Sequence, residues 1–171
     1  HNMLKNHPDG RFADLMELEL YNAALAGMQL DGKRFFYVNP LEVDMRVSGK
    51  APGYEHVLPK CPPWHDCACC PPNLTRLIAS LGRYLWSEND DTVYSHLLIG
   101  SEATTRFGRI RMESGYPWQG DACYTVADGG DFTLAIHIPG HAASYTMRVN
   151  RHLEEYPVRN GYVYIKRIWN A

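Results

Sequence analysis

The chain has 171 residues, 45% of them hydrophobic and 21% charged, which are the proportions of a globular protein rather than a disordered one. Its 17 lysines and arginines against 19 aspartates and glutamates leave a formal charge of −2, too little positive charge to hold a phosphate backbone, so nucleic acid is excluded as a first partner. Apolar runs such as Leu97-Leu98-Ile99 are far too short to span a bilayer, and no signal-peptide pattern opens the chain.

His1 to His7 reads as the tail of a helix stopped by Pro8-Asp9-Gly10, because proline cannot continue a helix and Asp-Gly is turn chemistry. From Phe12 to Leu30 the apolar residues Phe12, Leu15, Met16, Leu20, Ala23, Ala24 and Met28 recur near every 3.6 residues. The spacing predicts a helix capped by Asp9 and ended by Asp31-Gly32. Phe35 to Val38 is a short aromatic run before Asn39-Pro40. Residues 49–72 are rich in turn signals and proline, and so long an irregular stretch tends to be functional. A second helix is predicted from Asn73 to Trp86, with Leu74, Leu77, Ile78, Leu81, Tyr84 and Leu85 on one stripe and Pro71-Pro72 at its start. Past Asp91 the period falls to two. Thr92–Leu98, Arg106–Met112, Phe132–Ile138, Ser144–Val149 and Tyr162–Ile168 read as strands, with Asp128-Gly129-Gly130-Asp131 and Asn160-Gly161 as turns. In Phe132–Ile138, the residues Phe132, Leu134, Ile136 and Ile138 face one way and Thr133, Ala135 and His137 the other. The expected class is α+β, helical over 1–90 and antiparallel β over 91–171. Both ends read as cut, so the chain is expected to be an internal stretch of something longer.

Four of the five cysteines, Cys61, Cys67, Cys69 and Cys70, fall within ten residues. A disulfide framework is disfavoured by the adjacency of Cys69 and Cys70. A zinc knuckle is open, although C-x5-C-x-C-C is not the paired C-x2-C of zinc ribbons. An active site built on thiolates is open too, and so are buried inert cysteines. Position favours chemistry. Cys69 and Cys70 precede the first turn of the second helix, whose N–H groups and dipole favour a thiolate and lower its pKa. Two thiolates supply half of a tetrahedral zinc site, and His65 and Cys67, or residues outside this stretch, are candidates for the remainder. Cys123 in the β region reads as inert.

Trp64 followed by Cys69-Cys70-Pro71-Pro72-Asn73-Leu74-Thr75-Arg76 resembles the signature of glycoside hydrolase family 127, the β-L-arabinofuranosidase family. Phe12 to Asn22, Phe36 to Leu41, and Gly161 through Ala171 resemble further segments of that family. The resemblance implies a fold in which the last helices of an (α/α)6 barrel are followed by an antiparallel β-sandwich portion. It also implies a retaining glycosidase that releases L-arabinose from β-L-arabinofuranosides. Cys69 then falls on the nucleophile, Cys69 and Cys70 on ligands of a Zn2+ ion, and Glu17 and Tyr37 on residues lining the arabinofuranose pocket.

A thiolate nucleophile departs from the usual pair of carboxylates. The family's other zinc ligands, in a Glu-x-Cys element, and its acid/base Glu would all lie upstream, and no Glu-x-Cys occurs in this sequence. The activity is therefore expected of a longer protein and not of this stretch alone. Without the resemblance, Glu17 reads as a solvated helix-face carboxylate and Tyr37 as a core aromatic. Trp64 and His65 read either as lining the sugar pocket or as exposed loop residues. Two alternatives stand beside the enzyme: a zinc-binding structural or carbohydrate-binding module without turnover, and a related glycosidase for another plant-polysaccharide sugar. The expected partner is an arabinose-containing plant oligosaccharide or glycoprotein glycan, with no nucleic acid and no membrane, and a homodimer is admissible. Reduced metal-binding thiolates favour the cytoplasm.

Overall fold

The strand predicted from Phe132, Leu134 and Ile136 lies at the centre of the β part. In the computed structural model, which describes residues 1–66 and 69–170, it runs as β6 from Gly130 to His137. Two units emerge, one of His1–Met16 with the chain from Leu81 on, the other of Glu17–Ser80.

The first unit contains helix α1 (Asn2–Asn6), most of α2 (Gly10–Leu18) and the short α4 (Gly82–Leu85). Its five-stranded sheet has the order β1 (Trp86–Glu88), β2 (Thr92–Ser95), β6, β10 (Tyr162–Trp169), β9 (Val158–Arg159). A second sheet is the meander β3 (Ser101–Thr105), β4 (Gly108–Ser114), β5 (Ala122–Val126), and β7 (Met147–Val149) pairs with β8 (His152–Glu154). The class is α+β with antiparallel sheets. One pair departs from expectation, because β2 runs parallel to β6. A parallel pair needs a long crossover, and here the β3–β4–β5 meander supplies it.

Residues 132–137 are buried on both faces of β6. Phe132, Leu134 and Ile136 pack with Val93, Ile110, Val149, Val163 and Ile165. On the opposite face Ala135 packs with Leu4 of α1, Ala13 of α2, Tyr94 and Tyr162. Alternation was therefore right, but the second face meets helices rather than water. Fully buried side chains such as Phe132 and Leu134 each contribute about 1.5–3 kcal/mol.

The Asn160-Gly161 signal forms the two-residue turn between β9 and β10, both residues having positive φ (49° and 79°), as a type I′ turn requires. Asn160 O also accepts the Gly10 amide at 2.7 Å, which ties the start of α2 to this turn. Asp9 caps that start: its carboxylate accepts the Arg11 N–H at 2.9 Å, and its hydrogen bonds from Arg11 hold its pKa down at about 2.

A buried polar chain crosses the second face. The His96 ring lies between Ser87 Oγ and Tyr162 OH, each 2.7 Å from a ring nitrogen, and stacks on Tyr94. Burial, reinforced by nearby His137, pushes the His96 pKa down to about 3. The unfolded chain takes up this proton near pH 6.5 and the folded chain only near 3, so stability is full above 6.5 and is lost as pH falls through that window. The expected slope is about 1.4 kcal/mol per pH unit. Denaturant unfolding at pH 6.5, 5.5 and 4.5 should show it in the native protein and a shallower slope in His96→Asn; equal slopes would refute the assignment.

In the second unit, the first predicted helix is regular only to Leu18. It continues as a π-helical stretch over Glu19–Ala24 and a 3-10 turn over Leu25–Gly27, ending before Asp31-Gly32. The second predicted helix is also broken. Helix α3 spans Cys70–Ala79, Ser80 turns its hydroxyl back onto the Leu77 carbonyl at 3.2 Å, and Trp86 enters β1 instead of closing a helix. The described part of 49–72 is irregular up to α3, as expected. Among the described residues no helix is long and apolar enough to cross a membrane.

Candidate active site

Helix α3 begins on the cysteine pair. Cys69 is its N-cap residue, already in helical conformation, and Cys70 is its first residue. Pro71 and Pro72 follow in the first turn, where a missing N–H removes no helical bond. These prolines also leave this helix end two N–H donors short of those expected to favour a thiolate. The two sulfurs lie 3.8 Å apart, far longer than the roughly 2.05 Å of a disulfide. The Cys70 thiol reaches the carbonyl oxygen of Tyr37 at 3.5 Å.

Tyr37 thus meets the pair through its backbone, while its half-exposed ring packs against His65 with centroids 5.8 Å apart. His65 in turn lies against Phe35 at 5.4 Å, and its Nε2 donates to the Phe35 carbonyl at 3.0 Å. Trp64 is largely exposed and, with Phe35, His65, Pro71, Pro72 and Arg76, lines a groove of about 600 Å³. Glu17 is buried near the end of α2, not a solvated helix-face carboxylate. One turn on, burial and the Glu17 carboxylate hold the Tyr21 phenol above its ordinary pKa. The structure therefore gathers Tyr37, His65, Cys69 and Cys70, and seats Glu17 beside Tyr21.

Asn73 and Arg76 belong to the same signature as the cysteine pair. The Asn73 side-chain amide donates to the Cys69 carbonyl at 2.9 Å, and Arg76 donates to Asn73 Oδ1 at 2.6 Å. Their i, i+3 and i+4 spacings from Cys69 and from each other are the signal that would have found them. Cys61 is half-buried, and burial pushes its thiol up, which suits an inert cysteine. Cys123 is exposed on β5. Cys67 lies outside the described residues. Among those described, no group of three or more His, Cys, Asp or Glu side chains is placed to hold a metal ion.

Residues 1–83 match the family profile described as β-L-arabinofuranosidase, GH127 catalytic domain, and residues 92–171 the one described as β-L-arabinofuranosidase, GH127 middle domain. The chain belongs to glycoside hydrolase family 127. It is 39% identical to the non-reducing end β-L-arabinofuranosidase of Bifidobacterium longum subsp. longum, a match that covers 95% of this chain and 26% of that protein. A solved GH127 β-L-arabinofuranosidase from Geobacillus stearothermophilus T6 is 39% identical with a TM-score of 0.81, over 98% of this chain and 27% of the other. A second solved GH127 β-arabinofuranosidase is 31% identical with a TM-score of 0.74, over 95% and 27%. The chain thus spans about a quarter of the length of the GH127 relatives it matches.

Proposed function

We propose that the protein to which this chain belongs is a retaining β-L-arabinofuranosidase with Cys69 as nucleophile. The observation that carries this reading is the placement of two thiols 3.8 Å apart at the start of α3, beneath the Tyr37 carbonyl. Two thiolates on one tetrahedral zinc ion, at about 2.3 Å each, stand about 3.8 Å from one another. The pair therefore fits as half of a Zn2+ site, Cys69 and Cys70 being the ligands from this chain. Bound zinc would keep the thiols deprotonated and temper their basicity.

This chain supplies the nucleophile and two sugar-binding side chains. Cys69 sulfur forms a bond to the anomeric carbon as the glycosidic C–O bond breaks, and the departing oxygen takes a proton from the family's acid/base glutamic acid, which is not among these residues. Water then displaces the sulfur, giving a proton to the carboxylate left by the first step and releasing the thiolate, and two inversions give net retention. Glu17 and Tyr37 bind the arabinofuranose hydroxyls. In this reading the helices of the catalytic part are the last of an (α/α)6 barrel and the β part is a sandwich portion. The substrate is a β-linked L-arabinofuranosyl unit of a plant oligosaccharide or glycoprotein glycan, hydrolysed in a cytoplasm that keeps thiols reduced.

The test is hydrolysis of a chromogenic β-L-arabinofuranoside by the longer protein before and after complete zinc removal. Activity should vanish with the metal and return with added zinc. Full activity at zero zinc content would contradict the metal-thiolate reading, and failure on every arabinofuranoside offered would contradict the substrate.

A further inference from the structure

Cys69 ends the loop and starts the helix without the usual device for fixing that junction. No side-chain hydrogen bond caps α3 at this position. Pro71 and Pro72 carry no N–H, so the first backbone bond of the helix is the one from the Asn73 amide to the Cys69 carbonyl. That bond is long, at 3.4 Å. The Asn73 side chain supplies what the backbone bond lacks. Its Nδ2 donates to the same carbonyl at 2.9 Å, and Arg76, one turn on, donates to Oδ1 at 2.6 Å. The Arg76 bond sets which end of the amide faces Cys69: a guanidinium has no acceptor and demands the oxygen, leaving the NH2 for the carbonyl.

We propose that Asn73 is a positioning residue for the Cys69 nucleophile, with Arg76 orienting its amide. The proposal rests on the nucleophile reading above. A peptide pinned by two donors cannot rotate, and rotation about it would carry Cα and the sulfur of Cys69 away from the line of attack. A misplacement of this kind, about 1 Å, costs roughly 100-fold in rate.

The discriminating substitution is Asn73→Asp in the longer protein. Aspartate has the same shape and pairs at least as well with Arg76, but it has no N–H for the Cys69 carbonyl and places a negative charge beside it. If Asn73 only anchored Arg76, the variant would keep full activity. The positioning role predicts a loss of about 10- to 100-fold in kcat, with KM changed by less than about twofold and the unfolding midpoint unmoved or raised. Iodoacetamide labelling of Cys69 in the same variant should change rate in parallel. Arg76→Ala, at an exposed position past the first turn, should lose less in kcat, and Arg76→Lys, which keeps a donor, should recover most of that loss.

A wild-type kcat in Asn73→Asp, or a raised KM at constant kcat, would overturn the inference. Cys69→Ala is assayed alongside. If it is inactive while Asn73→Asp is normal, only the positioning role fails; if it is fully active, the nucleophile reading fails and takes this inference with it.

Discussion

Cys69→Ala is expected to lower arabinoside hydrolysis by about 10⁴-fold or more, because removing a covalent nucleophile leaves only the catalysis that binding and polarisation provide. Cys69→Ser should fare little better, since an alcohol is far less ionised than a thiol at neutral pH. The loss should be selective. Cys61→Ala removes a half-buried thiol that burial already holds protonated, and Cys123→Ala changes an exposed position on β5. Both should retain near-native kcat. Cys70→Ala removes the other sulfur proposed to hold zinc, so both variants should lose bound metal along with activity, whereas Cys61→Ala and Cys123→Ala should keep both. Steady-state kinetics with zinc analysis of each variant checks this pattern. A Cys69→Ala enzyme with more than about 1% of native kcat would be incompatible with a nucleophile at this position.

The second large effect concerns stability. Gly161→Ala is expected to destabilise the protein by about 3 kcal/mol or more, the sum of roughly 1–2 kcal/mol for a side chain in the left-handed region and about 1–3 for overpacking. Gly161 has φ of 79°, and an added Cβ would lie 2.5 Å from the Gly10 Cα, against backbone rather than the far end of a flexible side chain. Gly10 faces it reciprocally: a Cβ there would lie 2.7 Å from the Gly161 Cα. The two glycines let the start of α2 approach the β9–β10 turn closely enough for the Gly10 N–H to reach the Asn160 carbonyl. Gly53→Ala is the control, because Gly53 also has positive φ but nothing within 4 Å of an added Cβ, so it isolates the conformational cost. Denaturant midpoints should rank native, Gly53→Ala, then Gly161→Ala. Equal losses in the two variants would mean that the close approach carries no energy.

What the sequence disclosed depended on how local the signal was. The Asn160-Gly161 turn was legible because Asn-Gly at positive φ is a two-residue property. The turn between β7 and β8 uses the same backbone region at Asn150 and Arg151 but offers no glycine, and the pattern hid it. The alternation of β6 was legible, while its burial on both faces was not: Thr133 and His137 look polar, and only the helices packed on that face exclude water. Strand direction leaves no periodicity at all, hence the unforeseen parallel β2–β6 pair. Helix ends failed for another reason. The apolar stripe from Leu74 to Leu85 runs unbroken through the stop at Ser80, so the period could not reveal where α3 ends.

At the site, residue type and motif pointed to Cys69 and Cys70, and proline placed them at a helix start, as found. The hydrogen bond from Asn73 to the Cys69 carbonyl was hidden because asparagine in a first turn has many roles. Glu17 was hard to read from the sequence because a carboxylate among leucines gives no sign of burial until its helix is packed.

The central claim is that Cys69 sulfur becomes bonded to the sugar. The most direct measurement is to trap the longer protein with an arabinofuranose-mimicking electrophile, digest it, and sequence the labelled peptide by fragmentation. Trypsin cleavage after Lys60 and Arg76 leaves Cys61, Cys67, Cys69 and Cys70 on one peptide, so the fragment ions must place the added mass between Ala68 and Cys70. One equivalent of label is expected, on Cys69 alone. Label on Cys70, on Cys67 or on a carboxylate would contradict it.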